Sequence, residues 1–240
     1  ATVKVKVAGE AGGDDDLMKV GHSSAFHQAI AELFREIRPR RIIETGTYLG
    51  EGTTRIVAET LLELGLADAD FVSIEVNPRH YEEACRNVER RGLPVRLLHG
   101  LSIPRALLPT PADIQKACVD EIGFEGIFVD HAERDRVRLY HEETDFTGAK
   151  DDLLGECLAA FDHAPDFLLL DSAGHVGNIE FNYVLPLIRR PCHIALDDVF
   201  HIKHFRSYQQ MKEDPRFAVR VVSEEKFGFC IARFTPGGER

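Results

Sequence analysis

The sequence predicts an α/β fold with a doubly wound, mostly parallel sheet of seven strands and an antiparallel C-terminal hairpin. Two observations support this fold class. Short β-rich apolar runs alternate along the chain with segments of helical periodicity. Four of these runs end in carboxylates, and open parallel sheets bind ligands at the carboxyl ends of their strands. The acids concerned are Glu44, Glu75, Asp171 and the pair Asp197 and Asp198.

The elements follow in order from the first helix. Apolar residues recur at helical spacing over about 26–37, with Ser23 or Ser24 as the cap and Pro39 beyond the end. Asn77 is a favoured cap for the helix after the second strand. The parallel strands are expected at 41–45, 71–75, 95–98, 167–171 and 193–197, and the hairpin strands at 217–223 and 227–234.

The domain organisation predicted is one domain with an insertion. Residues 1–21 are expected to form a flexible N-terminal segment, because 8–16 are small or acidic. Residues 22–240 then form the domain. The stretch between the third and fourth strands exceeds what a crossover needs, so about 111–150 is expected to be an inserted lid or subdomain. A homodimer contact is the other role open to its apolar residues.

The charge and composition of the chain argue against several classes of binding partner. Forty acids against 29 bases give a net charge of -11, which argues against nucleic acid or an anionic membrane. No apolar run approaches the ~18 residues of a membrane span, and the first residues lack a secretory signal pattern. The five cysteines are far apart and show no metal or redox spacing. A soluble cytoplasmic protein is expected.

A loop containing glycines, over 44–54, follows the first strand. Glycines here allow a ligand to approach the backbone, and the helix N-terminus offers N–H donors. A dinucleotide fingerprint starting at Gly46 would need glycine where Tyr48 and Glu51 stand, and no P-loop pattern is present. Glu75, at the end of the next strand, suits an acceptor for a ribose diol in either a dinucleotide or a nucleoside cofactor.

These segments resemble class I S-adenosylmethionine-dependent methyltransferases, and more narrowly the metal-dependent O-methyltransferases of the catechol O-methyltransferase type. The resemblance covers roughly residues 25–110 and 150–235 and implies a Rossmann-like methyltransferase fold. The segments that carry it are Glu44-x-Gly46-x-Tyr48-x-Gly50, Ile74-Glu75-Val76-Asn77-Pro78, His99-Gly100-Leu101-Ser102, Asp171, and Asp197 with Asp198. The cofactor-binding residues that it implies are Glu44, Gly46, Thr47, Tyr48, Gly50, Gly52, Thr53, Glu75, Val76, Gly100, Leu101, Ser102 and Asp171.

The acids at the last two parallel strands are expected to converge beside the first strand. Three unpartnered carboxylates would repel one another, and Mg²⁺ prefers carboxylate oxygens together with water and substrate oxygens. The resemblance implies that Asp171, Asp197 and Asp198 are the metal ligands. The other interpretation is that Asp197 or Asp198 caps the following helix.

The general base is where the sequence departs from the family. The catechol-type enzymes place a lysine three residues after the first metal-binding aspartate, and this chain has Gly174 there. His175 is the nearest titratable substitute, and the pKa range of histidine suits the task. Further candidates are Lys203, His201 and His204 for the base, and Asn178 and Glu180 for substrate binding.

Together, the residues and the resemblance predict an S-adenosylmethionine-dependent O-methyltransferase that uses a divalent cation, Mg²⁺, and acts on a hydroxylated small molecule. Two alternatives stay open: a methyltransferase of the same fold without a metal, and a catalytically silent cofactor-binding module. The glycine spacing argues against a dehydrogenase.

Overall fold

The computed structural model describes residues 24–121, 136–138, 140 and 148–237 of the 240-residue chain. The predicted N-terminal segment 1–21 lies outside these ranges, as does most of the predicted insert after residue 121. Within the ranges, strands and helices alternate as the sequence pattern predicts. Every helix found in them is too short or too polar to be a bilayer-spanning segment.

The strands of the described chain form a single seven-stranded sheet. They are β1 (Arg41–Thr45), β2 (Asp70–Glu75), β3 (Arg96–His99), β4 (Phe167–Leu170), β5 (Cys192–Asp197), β6 (Phe217–Ser223) and β7 (Phe229–Phe234). Their spatial order is β3-β2-β1-β4-β5-β7-β6. The pairs from β3 to β5 are parallel, and β7 pairs antiparallel with both β5 and β6. This confirms the predicted doubly wound sheet, with its switch in strand order between β1 and β4.

Helices cover both faces of this sheet. In the described residues they are α1 (Ser24–Ile37), α2 (Thr53–Glu63), α3 (Pro78–Arg91), α4 (Pro111–Glu121), α5 (Leu153–Ala160), α6 (Gly177–Val184) and α7 (Phe205–Glu213). The first helix ends before Pro39, as predicted. Asn77 caps α3 by accepting a hydrogen bond from the backbone N–H of Arg79 at 3.0 Å, which confirms the predicted cap.

The core has one apolar layer on each side of the sheet. Side chains alternate along the strands, so Ile42 packs with α1 and α2 while Ile43 packs with α5 and α6. Because both faces are covered, the strands are apolar along most of their length. At the carboxyl ends of β1 and β2, the buried side chains include the polar residues Glu44, Ser73 and Glu75. The candidate site begins at these positions.

A smaller apolar cluster joins the predicted insert to the body of the domain. Ile114 of α4 and Tyr140 pack with Ile103 and with Val176, which lies in the loop after β4. Tyr140 is buried. The contact places part of the 111–150 stretch against the loop that carries Asp171 and His175, and its role as a lid stays a prediction.

Candidate functional site

The glycine loop, predicted within 44–54, comprises residues 46–52 between β1 and α2 and is held against the ends of its neighbouring strands. The backbone N–H of Gly46 donates to the carbonyl of Ile74 at 2.9 Å. Gly46 has a φ of +82°, and a Cβ at this position would lie 2.0 Å from the backbone oxygen of Asp171. Glycine is therefore required for the loop after β1 to pass so close to the segment after β4. The loop brings the β1–β2 half of the site into contact with the β4–β5 half.

Glu75 ends β2 with a buried carboxylate that backbone donors orient. Its Oε2 accepts from the N–H of Tyr48 at 2.7 Å, and its Oε1 accepts from the N–H of Asn77 at 2.8 Å. The rings of Tyr48 and His80 meet edge to face next to it, with centroids 4.6 Å apart. Both donors are uncharged, and an ionised carboxylate has further lone pairs that can accept from hydroxyl groups. This geometry fits the predicted acceptor of ribose hydroxyls.

Glu44, at the end of β1, is completely buried. Its Oε2 accepts from the hydroxyls of Thr54 and Ser73, each at 2.6 Å, whereas its Oε1 has no partner among the described residues. Burial raises the pKa of Glu44 to about 7, although the hydroxyl donors oppose this. A buried carboxylate oxygen without a donor matches the chemistry of a ligand that donates a hydrogen bond, and the ammonium group of S-adenosylmethionine is of that type.

Sequence reasoning did not identify Thr54 or Ser73 as part of the site. The available signal was weak: Ser73 is the single hydroxyl residue inside the apolar run of β2. Its hydroxyl also lies 2.5 Å from the hydroxyl of Thr47, a predicted cofactor residue. A small network of hydroxyls therefore supports Glu44 from two elements.

The segment after β3 packs against the chain that leads into α5. The N–H of Leu101 donates to the carbonyl of Lys150 at 2.8 Å, and the carbonyl of Ser102 accepts from Leu154 at 2.9 Å. A Cβ on Gly100 would lie 2.6 Å from the Lys150 carbonyl oxygen, so glycine again permits a close approach. These three predicted residues lie beside the end of β2, because β3 pairs with β2.

The three acids predicted to converge do so at the ends of the adjacent strands β4 and β5. One carboxylate oxygen each from Asp171, Asp197 and Asp198 lies within 4.8 Å of the others. The following helix begins at Phe205 with His204 at its N-cap, so neither Asp197 nor Asp198 caps it. The capping interpretation of this acidic pair is therefore wrong.

Lys203 lies inside this acidic cluster. Its Nζ is 2.5 Å from Oδ1 of Asp171 and 2.6 Å from Oδ2 of Asp198, and its side chain is 9% exposed. Burial alone would lower the pKa of Lys203, but Asp171, Asp198 and Asp197 raise it well above its usual value. Lys203 is thus an ammonium, which donates hydrogen bonds and has no lone pair to accept a proton.

The pKa values of the three acids shift differently in this arrangement. Burial raises the pKa of Asp171 to about 6 even though Lys203 opposes the shift. Burial and the neighbouring carboxylates raise the pKa of Asp197 well above its usual value. The pKa of Asp198 is lowered despite its burial, because Lys203 and His201 favour its charged form. The cluster therefore contains one firmly ionised acid next to the ammonium and two that hold protons more readily.

The carboxylate oxygens of this cluster are suitable ligands for a divalent cation, but Lys203 occupies the position that the ion would need. Carboxylate oxygens are what Mg²⁺ prefers. However, the Nζ of Lys203 already contacts two of the three carboxylates at hydrogen-bond distance. Two cations cannot share this space, so the residues as arranged do not fit a bound metal ion.

His175 borders a cavity of about 180 Å³ between α4, α6 and the start of α7. Ile114, Ile179, Ile202 and Arg206 are among the other residues that line it. Burial lowers the pKa of His175 to about 4, so its ring is neutral at pH 7. The cavity offers room for an apolar group beside a neutral imidazole.

The two residues predicted as substrate contacts have partners within the chain. Asn178 donates to Ser207 at 3.0 Å and to Gln210 at 2.9 Å, which ties α6 to α7. Glu180 is fully buried: its Oε2 accepts from Thr45 at 2.8 Å, and its Oε1 has no partner among the described residues. Burial also raises its pKa. These contacts give both residues a structural role, although Asn178 also lines the cavity.

The two further histidine candidates lie in the loop before α7. His204 is fully buried, with Nδ1 3.2 Å from the hydroxyl of Ser207, and burial lowers its pKa to about 3. His201 accepts from the backbone N–H of Lys203 at 3.3 Å. Both therefore help to shape the loop that carries Lys203.

Comparison with known proteins finds similarity to solved structures. No protein-family model and no curated protein matches the chain significantly. An O-methyltransferase from Bacillus cereus, solved in complex with SAH, is 18% identical, with a TM-score of 0.54 over 92% of this chain and 86% of that one. The O-methyltransferase TomG from Streptomyces achromogenes, solved with SAM, is also 18% identical, with a TM-score of 0.53 over 92% and 85%.

A third structure, the SAH-bound methyltransferase PaMTH1 from Podospora anserina, is 16% identical, with a TM-score of 0.52 over 93% of this chain and 82% of that one. At these identities the likeness establishes the architecture. The chain has the Rossmann-like fold of these methyltransferases, as its sequence motifs predict.

Proposed function

We propose that this protein is an S-adenosylmethionine-dependent methyltransferase that methylates a hydroxyl group of a small molecule. The observation that carries the proposal is the meeting of two kinds of carboxylate site at one edge of one sheet. Glu75 and Glu44 have uncharged donors at the ends of β2 and β1, and a charged cluster lies at the ends of β4 and β5. The fold shared with SAH- and SAM-bound methyltransferases supports this reading.

The β1–β2 half is proposed to hold the cofactor. Glu75 accepts from the ribose hydroxyls while Tyr48 and Asn77 keep its carboxylate in place. The free Oε1 of Glu44 accepts from the cofactor ammonium. When bound, the cofactor supplies a methyl group that leaves sulfur as the acceptor oxygen bonds to it, giving a methyl ether and S-adenosylhomocysteine. The remaining predicted cofactor residues are in the glycine loop, at Val76 after β2, in the segment after β3 and at Asp171 after β4, and they are proposed to complete the cofactor site.

His175 is proposed to accept the proton that the acceptor hydroxyl gives up. Its neutral imidazole has a lone pair available at pH 7. A pKa of about 4 makes it a weak base, so the hydroxyl must be acidified by a nearby positive charge. Lys203, the second residue predicted as catalytic, is suited to supply that charge as an ammonium.

In an alternative version of this proposal, the methyl transfer uses a divalent cation. It requires Lys203 to move away so that Asp171, Asp197 and Asp198 can bind the ion. The ion pairs of Lys203 favour the metal-free form, which the sequence left open as the alternative. The hydroxylated acceptor, the lid, a homodimer and a cytoplasmic location stay predictions from the sequence.

The test of cofactor binding is calorimetry with S-adenosylhomocysteine. Glu75→Ala should weaken binding by about 2–3 kcal/mol, the usual cost of losing hydrogen bonds to a charged group. Glu51→Ala is the matched control, because Glu51 is a glutamate of the neighbouring glycine loop that pairs with Arg91 at the surface. Equal affinity in wild type and Glu75→Ala, or tight binding of NAD by the wild type, would refute the assignment. A protein that binds S-adenosylhomocysteine but methylates no hydroxylated compound would be the silent module.

A further inference from the structure

The acidic cluster carries its own cation. Lys203 Nζ contacts Asp171 at 2.5 Å and Asp198 at 2.6 Å, where the sequence pattern predicts a metal ion. We propose that the Lys203 ammonium replaces the divalent cation, so that the protein binds and activates its acceptor hydroxyl without a metal. This inference rests on the proposed methyltransferase function and assigns its acceptor-binding group.

The position of the ammonium is built into the fold. Gly177, the first residue of α6, packs so closely that a Cβ there would lie 2.7 Å from the Lys203 carbonyl oxygen and 2.8 Å from its Cγ. The loop that carries Lys203 is tied to the hairpin, since Val199 and Phe200 donate to the carbonyls of Gly228 and Phe227 at 3.1 and 2.8 Å. Backbone and side chain of Lys203 are therefore held on both sides.

The ammonium retains the capacity to bind an acceptor. An ammonium has three N–H donors. The contacts with Asp171 and Asp198 engage two of them. The third N–H is assigned to the hydroxyl oxygen of the acceptor. A hydrogen bond from a cation favours the ionised form of that hydroxyl, which is the role a metal would have.

Replacing a divalent cation by an ammonium has a chemical consequence. A lysine supplies one positive charge and point-like donors, whereas a metal ion supplies two charges and can bind two substrate oxygens at once. The site therefore suits an acceptor with one reactive hydroxyl and does not require a vicinal diol. The cavity beside His175, with Ile114 and Ile179 in its walls, suits an apolar body attached to that hydroxyl.

The experiment is a titration of the protein with Mn²⁺ alone, followed by electron paramagnetic resonance. Wild type should show no saturable site, whereas Lys203→Ala should bind one Mn²⁺ at least about tenfold more tightly, because three carboxylates then lack a counter-charge. Lys212→Ala, which removes a lysine that lies over Tyr208 on α7, should behave as wild type. Saturable binding to wild type that Lys203→Ala does not strengthen would overturn the inference.

The wild-type measurement protects the test against misfolding of Lys203→Ala. If wild type binds Mn²⁺ at a single site and Asp198→Asn abolishes that binding, the cluster is a metal site and the inference fails. If wild type binds none and Lys203→Ala is unfolded, the inference stands on the wild-type result, whereas a folded Lys203→Ala that also binds none would overturn it. Binding of S-adenosylhomocysteine is measured separately. A protein that does not bind this compound would refute the proposed function, and the Mn²⁺ titration could still be interpreted.

Discussion

The two halves of the candidate site compensate their buried carboxylates by different means. At the ends of β1 and β2, Glu44 and Glu75 receive hydrogen bonds from hydroxyls and backbone N–H groups. At the ends of β4 and β5, Asp171 and Asp198 share the ammonium of Lys203. The first half is held mainly by hydroxyl and backbone donors, with His80 Nδ1 3.9 Å from Glu75 Oε1, and the second by an internal ion pair.

Because of this difference, the carboxylates at the ends of β1 and β2 can still accept hydrogen bonds, whereas the charge of those at the ends of β4 and β5 is already compensated. Neutral donors leave a carboxylate its charge and some of its lone pairs, so Glu44 and Glu75 can still accept from a ligand. An ammonium compensates charge directly, and a buried ion pair becomes costly when one partner is removed. We therefore expect substitutions in the first half to affect cofactor binding, and substitutions of Lys203 to affect stability most.

The largest expected effect comes from Lys203→Met. Removing the ammonium leaves buried carboxylates without a counter-charge, which should lower the free energy of unfolding by about 3–5 kcal/mol at pH 8. The loss should shrink at pH 5, because Asp171 and its neighbours can then take up protons. Urea unfolding at both pH values measures this, with Lys212→Met as the exposed-lysine control. A loss that is equal at both pH values would show that packing, and not charge, explains the effect.

Glu44→Gln tests the neutral half through its pH dependence. The folded pKa of about 7 lies above the ordinary 4.5, so Glu44 contributes stability that is complete below pH 4.5 and is lost as pH rises through 7. The loss amounts to about 3 kcal/mol.

The glutamine variant lacks this loss, so its stability relative to wild type should rise between pH 4.5 and 8. Urea unfolding across this range measures the difference. Glu51→Gln, in the glycine loop that follows β1, should give no such trend, because Glu51 pairs with Arg91 at the surface. A constant difference between Glu44→Gln and wild type would contradict the raised pKa.

The smallest expected effect concerns the hydroxyl support of Glu44. Thr54→Val removes the 2.6 Å hydrogen bond to Glu44 and should cost about 1.5–3 kcal/mol at pH 8, where the acceptor is charged, and less at pH 5. Thr60→Val is the matched control on the same helix, because the buried Thr60 hydroxyl has no partner among the described residues. That change should be neutral or stabilising. Equal losses from both variants would mean that the hydroxyl of Thr54 contributes nothing specific to Glu44.

The architecture, and the edge of the sheet at which polar residues gather, could be predicted from the amino-acid pattern. Apolar runs ending at Glu44, Glu75 and Asp171 are local patterns, and parallel strands bring their carboxyl ends to one edge wherever the helices lie. The convergence of Asp171 with Asp197 and Asp198 followed from that rule. The cap at Asn77 was predictable for the same reason, since a cap and its helix are neighbours in the chain.

The groups that compensate the charge of these acids could not be predicted in the same way, because they come from elements distant in the chain. Lys203 reaches Asp171 across 32 positions of sequence, through an irregular loop with no periodic pattern. Its location depends on the close approach of Gly177 and on hydrogen bonds to the hairpin. Ser73 and Thr54 likewise meet Glu44 from separate elements. Periodicity specifies which face of an element is buried, whereas the pairing of one charge with another depends on the packing of elements distant in the chain.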